Sequence, residues 1–74
     1  MSLGTKLKEM RLRSFFSQRE FARRLGIDRS TYNAWERDRR KPMPAGIKVV
    51  IDFYESNGHN TEKLQEEYLK TKES

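Results

Sequence analysis

SQREFARRLGIDRSTYNAW, residues 17–35, spells two short helices joined by a tight turn. Ser17 followed three residues later by Glu20 is a capping box: the serine hydroxyl accepts from an orphan amide and the glutamate reaches back to the serine amide. A helix therefore starts there. Phe21, Ala22 and Leu25 share one of its faces, and Gly26 supplies the positive φ that lets it stop. Asp28 is an N-cap for the next helix, whose buried pair at i, i+3 is Tyr32 and Trp35. At about 100° of rotation per residue, the side opposite that pair carries Ser30, Asn33, Ala34 and Arg37. Small and hydrogen-bonding groups of this kind, near the start of a helix, can reach base edges in a major groove about 12 Å wide.

The cations sharpen this reading. Arg19 lies in the first turn of one helix and Arg29 in the first turn of the other, where the macrodipole disfavours positive charge by roughly 0.3 to 1 kcal/mol. Helix starts usually collect acids. Cations beside amide-rich helix ends make sense if a phosphate docks there, because amides and arginine then bind one anion.

Residues Leu7 to Ile51 resemble the helix-turn-helix domain of the phage lambda repressor and Cro-like family, also called the Xre family. The resemblance rests on Arg11, Ser17, Gln18, Ala22, Leu25, Gly26, Trp35, Glu36, Arg39 or Arg40, and Pro42. No one of these is diagnostic; their joint spacing is specific. It implies a compact all-α fold of five helices with the helix-turn-helix at helices 2 and 3. It also implies that Arg11 pairs internally with Glu36, and Glu36, four residues after Tyr32, does lie near the buried edge of its helix. Gln18 would bind a phosphate and brace the reading helix, while Arg29, Ser30, Asn33 and Ala34 match base-reading positions. Arginine suits guanine, asparagine suits adenine, and an alanine methyl suits the thymine methyl.

The chain departs from the family in two places. Phe15 stands where relatives carry a glycine at a helix end that wants positive φ, which a bulky residue disfavours. Asp38 also takes the place of a common glycine, and aspartate tolerates the left-handed region better. Just past the third helix, Arg37, Arg39, Arg40 and Lys41 form a cationic run expected, with Arg19, to contact phosphates, which fixes register and carries no sequence information.

Around this centre the chain reads as one domain of 74 residues, core 3–57 with a C-terminal helix over about 61–72. Leu3, Leu7 and Met10 stripe a first helix over roughly residues 4–13, and Phe16 is an apolar anchor. Pro42 and Pro44 stiffen the approach to a fourth helix, with Pro44 at its first position. Ile47, Val50, Ile51 and Tyr54 should close the core; Val49 and Phe53 read as a second apolar face. Asn60 or Thr61 caps a fifth helix offering only Leu64, Tyr68 and Leu69, too polar to stand alone. It should therefore pack on Val49 and Phe53, of its own chain or of a second copy, so that Val49, Phe53, Leu64 and Tyr68 form a dimer or partner face.

Charge is divided unevenly along the chain. Residues 1–48 hold 13 basic and 5 acidic side chains, a balance of +8, and residues 49–74 hold 3 and 6, a balance of −3. The cationic half is the helix-turn-helix half, as a nucleic-acid surface requires. No apolar run approaches the ~20 residues of a membrane span, and no apolar leader opens the chain, so a cytoplasmic location is expected. With no cysteine and with His59 the single histidine, no metal site is expected; no cofactor is expected either. An enzyme is disfavoured, because the chain has no phosphate-cradling glycine loop and no cysteine nucleophile. The sequence thus points to a regulator of double-stranded DNA, a homodimeric repressor at a palindromic operator. The alternative is a protein-interaction module, such as an antitoxin, that uses the Val49 and Phe53 face.

Overall fold

The computed structural model describes residues 2–71. The described residues form five helices: α1 Leu3–Arg13, α2 Gln18–Leu25, α3 Arg29–Glu36, α4 Pro44–Ser56 and α5 Glu62–Lys70. The fifth ends at Lys70 with Thr71 as its cap; Lys72, to which it was expected to run, lies outside the described residues. Each start has a chemical reason. The Ser2 hydroxyl accepts from the Thr5 amide, that of Ser17 from the Glu20 amide, and the Asp28 carboxylate from the Ser30 amide. Only half of the expected capping box forms, since among the described residues the Glu20 side chain makes no return bond to Ser17. Gly26 ends α2 in the left-handed region at φ 70°. Pro44 opens α4, and the Asn60 side chain accepts from the Glu62 amide at the head of α5.

The core takes residues from every helix. Leu3, Leu7 and Met10 of α1 meet Phe21 and Ala22 of α2, Tyr32 and Trp35 of α3, Ile47, Val50 and Tyr54 of α4, and Leu64 of α5. Phe16, half-buried, lies 5.4 Å from the Phe21 ring and 5.9 Å from that of Phe53. The tilted and edge-on aromatic contacts running through Phe21, Tyr32, Phe53 and Tyr54 fix how α2, α3 and α4 stack. Two glycines permit close approach. A Cβ on Gly4 would lie 2.4 Å from the Glu36 carbonyl oxygen, and one on Gly46 would lie 3.0 Å from the Trp35 ring.

The fifth helix does not pack on Val49 and Phe53. It lies against α1 and places Leu64 in the core with no exposed surface. Helix geometry supplies the reason: Phe53 is three residues after Val50, only about 60° around α4, so it turns inward onto Phe16 and Phe21 instead of forming a second face. Gly58, at φ 81°, reverses the chain, and the buried Thr61 hydroxyl donates to Glu55 at 2.7 Å. The turn thereby sends α5 back across α1.

Candidate nucleic-acid interface

Tyr32 and Trp35 anchor α3 inward, the first fully buried and the second nearly so. Burial of its phenol pushes the Tyr32 hydroxyl well above the ordinary tyrosine range, so it stays neutral. With that face fixed, the opposite one is presented outward. Arg29, Ser30, Asn33 and Ala34 together line a shallow hollow of about 390 Å³, joined by Arg39 from the following loop. The Ser30 hydroxyl donates to the Asp28 carboxylate, which leaves its oxygen lone pairs for an outside donor. That bond, with the Ser30 and Thr31 amides, holds the Asp28 carboxyl below its usual value and so keeps the cap charged.

Beneath the hollow runs a chain of polar contacts. Arg11 meets Glu36 two-pronged, Nε donating to Oε2 at 2.6 Å and Nη2 to Oε1 at 3.0 Å, and its Nη1 donates to the Phe16 carbonyl at 2.8 Å. Both side chains are buried, at 8% and 2% exposure. Glu36 also accepts from Gln18 Nε2 at 3.0 Å, and Gln18 Oε1 accepts from Asn33 Nδ2 at 2.8 Å. Gln18 therefore braces α3 directly and keeps one Nε2 hydrogen for an outside acceptor such as a phosphate.

Two of the expected DNA-contacting arginines, Arg29 and Arg39, line this hollow. Arg19, Arg29, Arg37, Arg39 and Arg40 are exposed, and none forms an ion pair with a described acid. Arg19 sits in the first turn of α2 and Arg37 caps the C-terminus of α3. Lys41, also expected to contact phosphates, differs from these arginines in being engaged within the chain. Its ammonium lies 4.5 Å from the Tyr68 ring centre and donates to the Thr71 carbonyl at 2.8 Å, so it closes the end of α5. The Tyr68 hydroxyl in turn donates to the Pro42 carbonyl at 2.9 Å.

Val49, Phe53, Leu64 and Tyr68 do not make the joint face expected of them. Leu64 is in the core, Phe53 packs inward, Tyr68 belongs to the Lys41 contact, and Val49 alone stays exposed, at 41%. Asp38 takes the left-handed conformation expected of it, while its bond to α1 and the role of Gly4 were not foreseen. Asp38, at φ 57°, accepts from the Gly4 amide at 2.9 Å and so caps α1 from 34 residues away. Gly4 lets α1 close on the end of α3, and the one available signal was a glycine inside a helical stretch, which otherwise costs about 1 kcal/mol.

Comparison with known proteins agrees with this geometry. A family profile described as helix-turn-helix matches residues 7–56, more than half of the chain. The chain is also similar to a type II methyltransferase, M.SsoII, of Shigella sonnei, 40% identical over 55 residues. That match covers 70% of this chain and 14% of the methyltransferase, so the chain spans a small part of that relative. No solved structure gives a significant match.

Proposed function

The chain belongs to the lambda repressor and Cro-like family of DNA-binding helix-turn-helix domains, and from that premise we propose that it is a sequence-specific regulator of transcription. It binds double-stranded DNA as a homodimer on a palindromic operator, represses by occluding a promoter, and works in the cytoplasm. The observation that carries this reading is the hollow on α3, where Arg29, Ser30, Asn33 and Ala34 converge with Arg39, both arginines exposed and without acidic partners among the described residues. Arg29, Asn33 and Ala34 read base edges; Arg19, Arg37, Arg39 and Arg40 hold phosphates.

We assign the chain no catalytic step of its own. The match covers 14% of the methyltransferase relative, so that protein's activity is not carried over to this chain. Among the described residues, no helix is long and apolar enough to cross a membrane. The interaction-module alternative is less well supported, because Leu64 and Phe53 are withdrawn from the face on which it relied.

Selection from a random duplex library tests the proposal. Two half-sites with centres about 34 to 36 Å apart, one helical turn, are the expected result. Binding without any enriched sequence, or no binding at low salt, would overturn it.

A further inference from the structure

Asn33 is the outer end of a hydrogen-bond chain that starts in the core, and every bond in that chain has a direction. A carboxylate only accepts. Glu36 is held ionised by the two-pronged Arg11 contact, so Gln18 must turn its NH2 toward Glu36 Oε1, at 3.0 Å. The Gln18 oxygen then faces Asn33, and an amide oxygen also only accepts. Asn33 must therefore give it Nδ2, at 2.8 Å. What Asn33 retains for the hollow that it lines is Oδ1 with its lone pairs and one Nδ2 hydrogen.

We infer that Glu36 is a positioning residue for base preference: acting through Gln18, it fixes the amide polarity of Asn33, so that α3 offers an acceptor beside a single donor. The inference rests on the reading of α3 as the base-contacting helix. Adenine presents the N6 donor beside the N7 acceptor and meets both groups of Asn33. Cytosine presents the N4 donor and meets one. Guanine presents two acceptors, N7 and O6, and could satisfy an asparagine only by taking both amide hydrogens, one of which Gln18 already holds. Thymine presents an acceptor and a methyl group. Guanine, cytosine and thymine can therefore each meet one of the two groups and adenine alone meets both, so the contact made inside the protein selects adenine and denies guanine a bidentate pair.

Gln18→Ala tests this while leaving the Arg11–Glu36 pair in place. Site selection with the wild type, with Asn33→Ala and with Gln18→Ala locates the base pair facing Asn33 as the position that Asn33→Ala blurs. The wild type should enrich adenine there, and Gln18→Ala should lower the adenine-over-guanine ratio at that position by roughly fivefold to a hundredfold, the range of one bidentate contact. If Gln18 served only to hold a phosphate, its removal would weaken all sites equally and leave the ratio unchanged. An unchanged ratio in Gln18→Ala, or guanine enriched by the wild type at that position, overturns the inference while the DNA-binding reading stands. Absence of any enriched sequence overturns the sequence-specific reading and, with it, the base preference.

The polarity itself is tested without DNA. In the free wild-type protein, NMR should find one Asn33 Nδ2 hydrogen exchanging with solvent more slowly than the other. Equal exchange of the two would overturn the polarity argument even if Gln18→Ala failed to fold.

Discussion

The Glu36 carboxylate accepts three hydrogen bonds, two from Arg11 and one from Gln18, at 2% side-chain exposure. Burial by itself would raise its pKa, but the hydrogen bonds from Arg11 and Gln18 and the Arg11 charge outweigh burial and hold it below the ordinary 4.5. A depressed carboxylate contributes stability that is present above its unfolded value and is lost as pH falls through the folded one. Urea midpoints should therefore fall as pH drops below about 4.5, and Glu36→Gln should flatten part of that fall. At neutral pH, Glu36→Ala strands a buried guanidinium and should cost about 3 to 5 kcal/mol in urea melts. A cost below about 1 kcal/mol would place the contact among surface pairs. Phe15 gives the opposite sign. It sits at φ 63° and is 92% exposed, so its ring brings little packing to set against backbone strain. Phe15→Gly should raise stability by about 1 kcal/mol, the left-handed penalty less the entropy glycine adds; a lower urea midpoint would mean that the ring makes contacts that matter. The strain at Phe15 was legible in sequence because glycine is the ordinary residue for such a helix end. The Asp38 cap on Gly4 was not, because it joins groups 34 residues apart and no local pattern carries that pairing.

Helix starts and stops were written locally, and so α2 and α3 could be read from Ser17, Gly26 and Asp28 alone. The docking of α5 could not. Its apolar positions fit more than one partner, and the choice is made by the Gly58 turn and the Thr61–Glu55 bond, which direct it onto α1. Lys41 shows the same limit: a lysine in a basic run reads as a phosphate ligand, yet the returning helix brings Tyr68 and Thr71 to it. Lys41→Ala should speed hydrogen exchange of the α5 amides, leave those of α2 and α3 unchanged, and leave the salt dependence of DNA binding as in the wild type. A shallower salt dependence in Lys41→Ala would return Lys41 to the phosphate-binding set.

Over the whole molecule the division of charge matches the division of labour. The half with a balance of +8 carries α2, α3 and the exposed arginines, and the half with −3 carries most of α4 and all of α5. On the proposed reading, such a field would draw DNA to the cationic side from a distance and orient the approach, and leave the sequence to be decided by short-range contacts in the α3 hollow. Position on the molecule thus separates two kinds of residue that composition alone would merge. Parallel binding titrations of Asn33→Ala and Arg40→Ala, across a set of single-base-pair variants of the selected site and a range of salt, test that separation most directly. Asn33→Ala should relax the preference at one base pair per half-site by about 1 to 3 kcal/mol without changing the salt slope. Arg40→Ala should weaken every sequence alike and lower the slope by about 0.9 for each phosphate that the variant no longer neutralises. Interchangeable effects of the two substitutions would contradict the assignment of the α3 outer face to base reading.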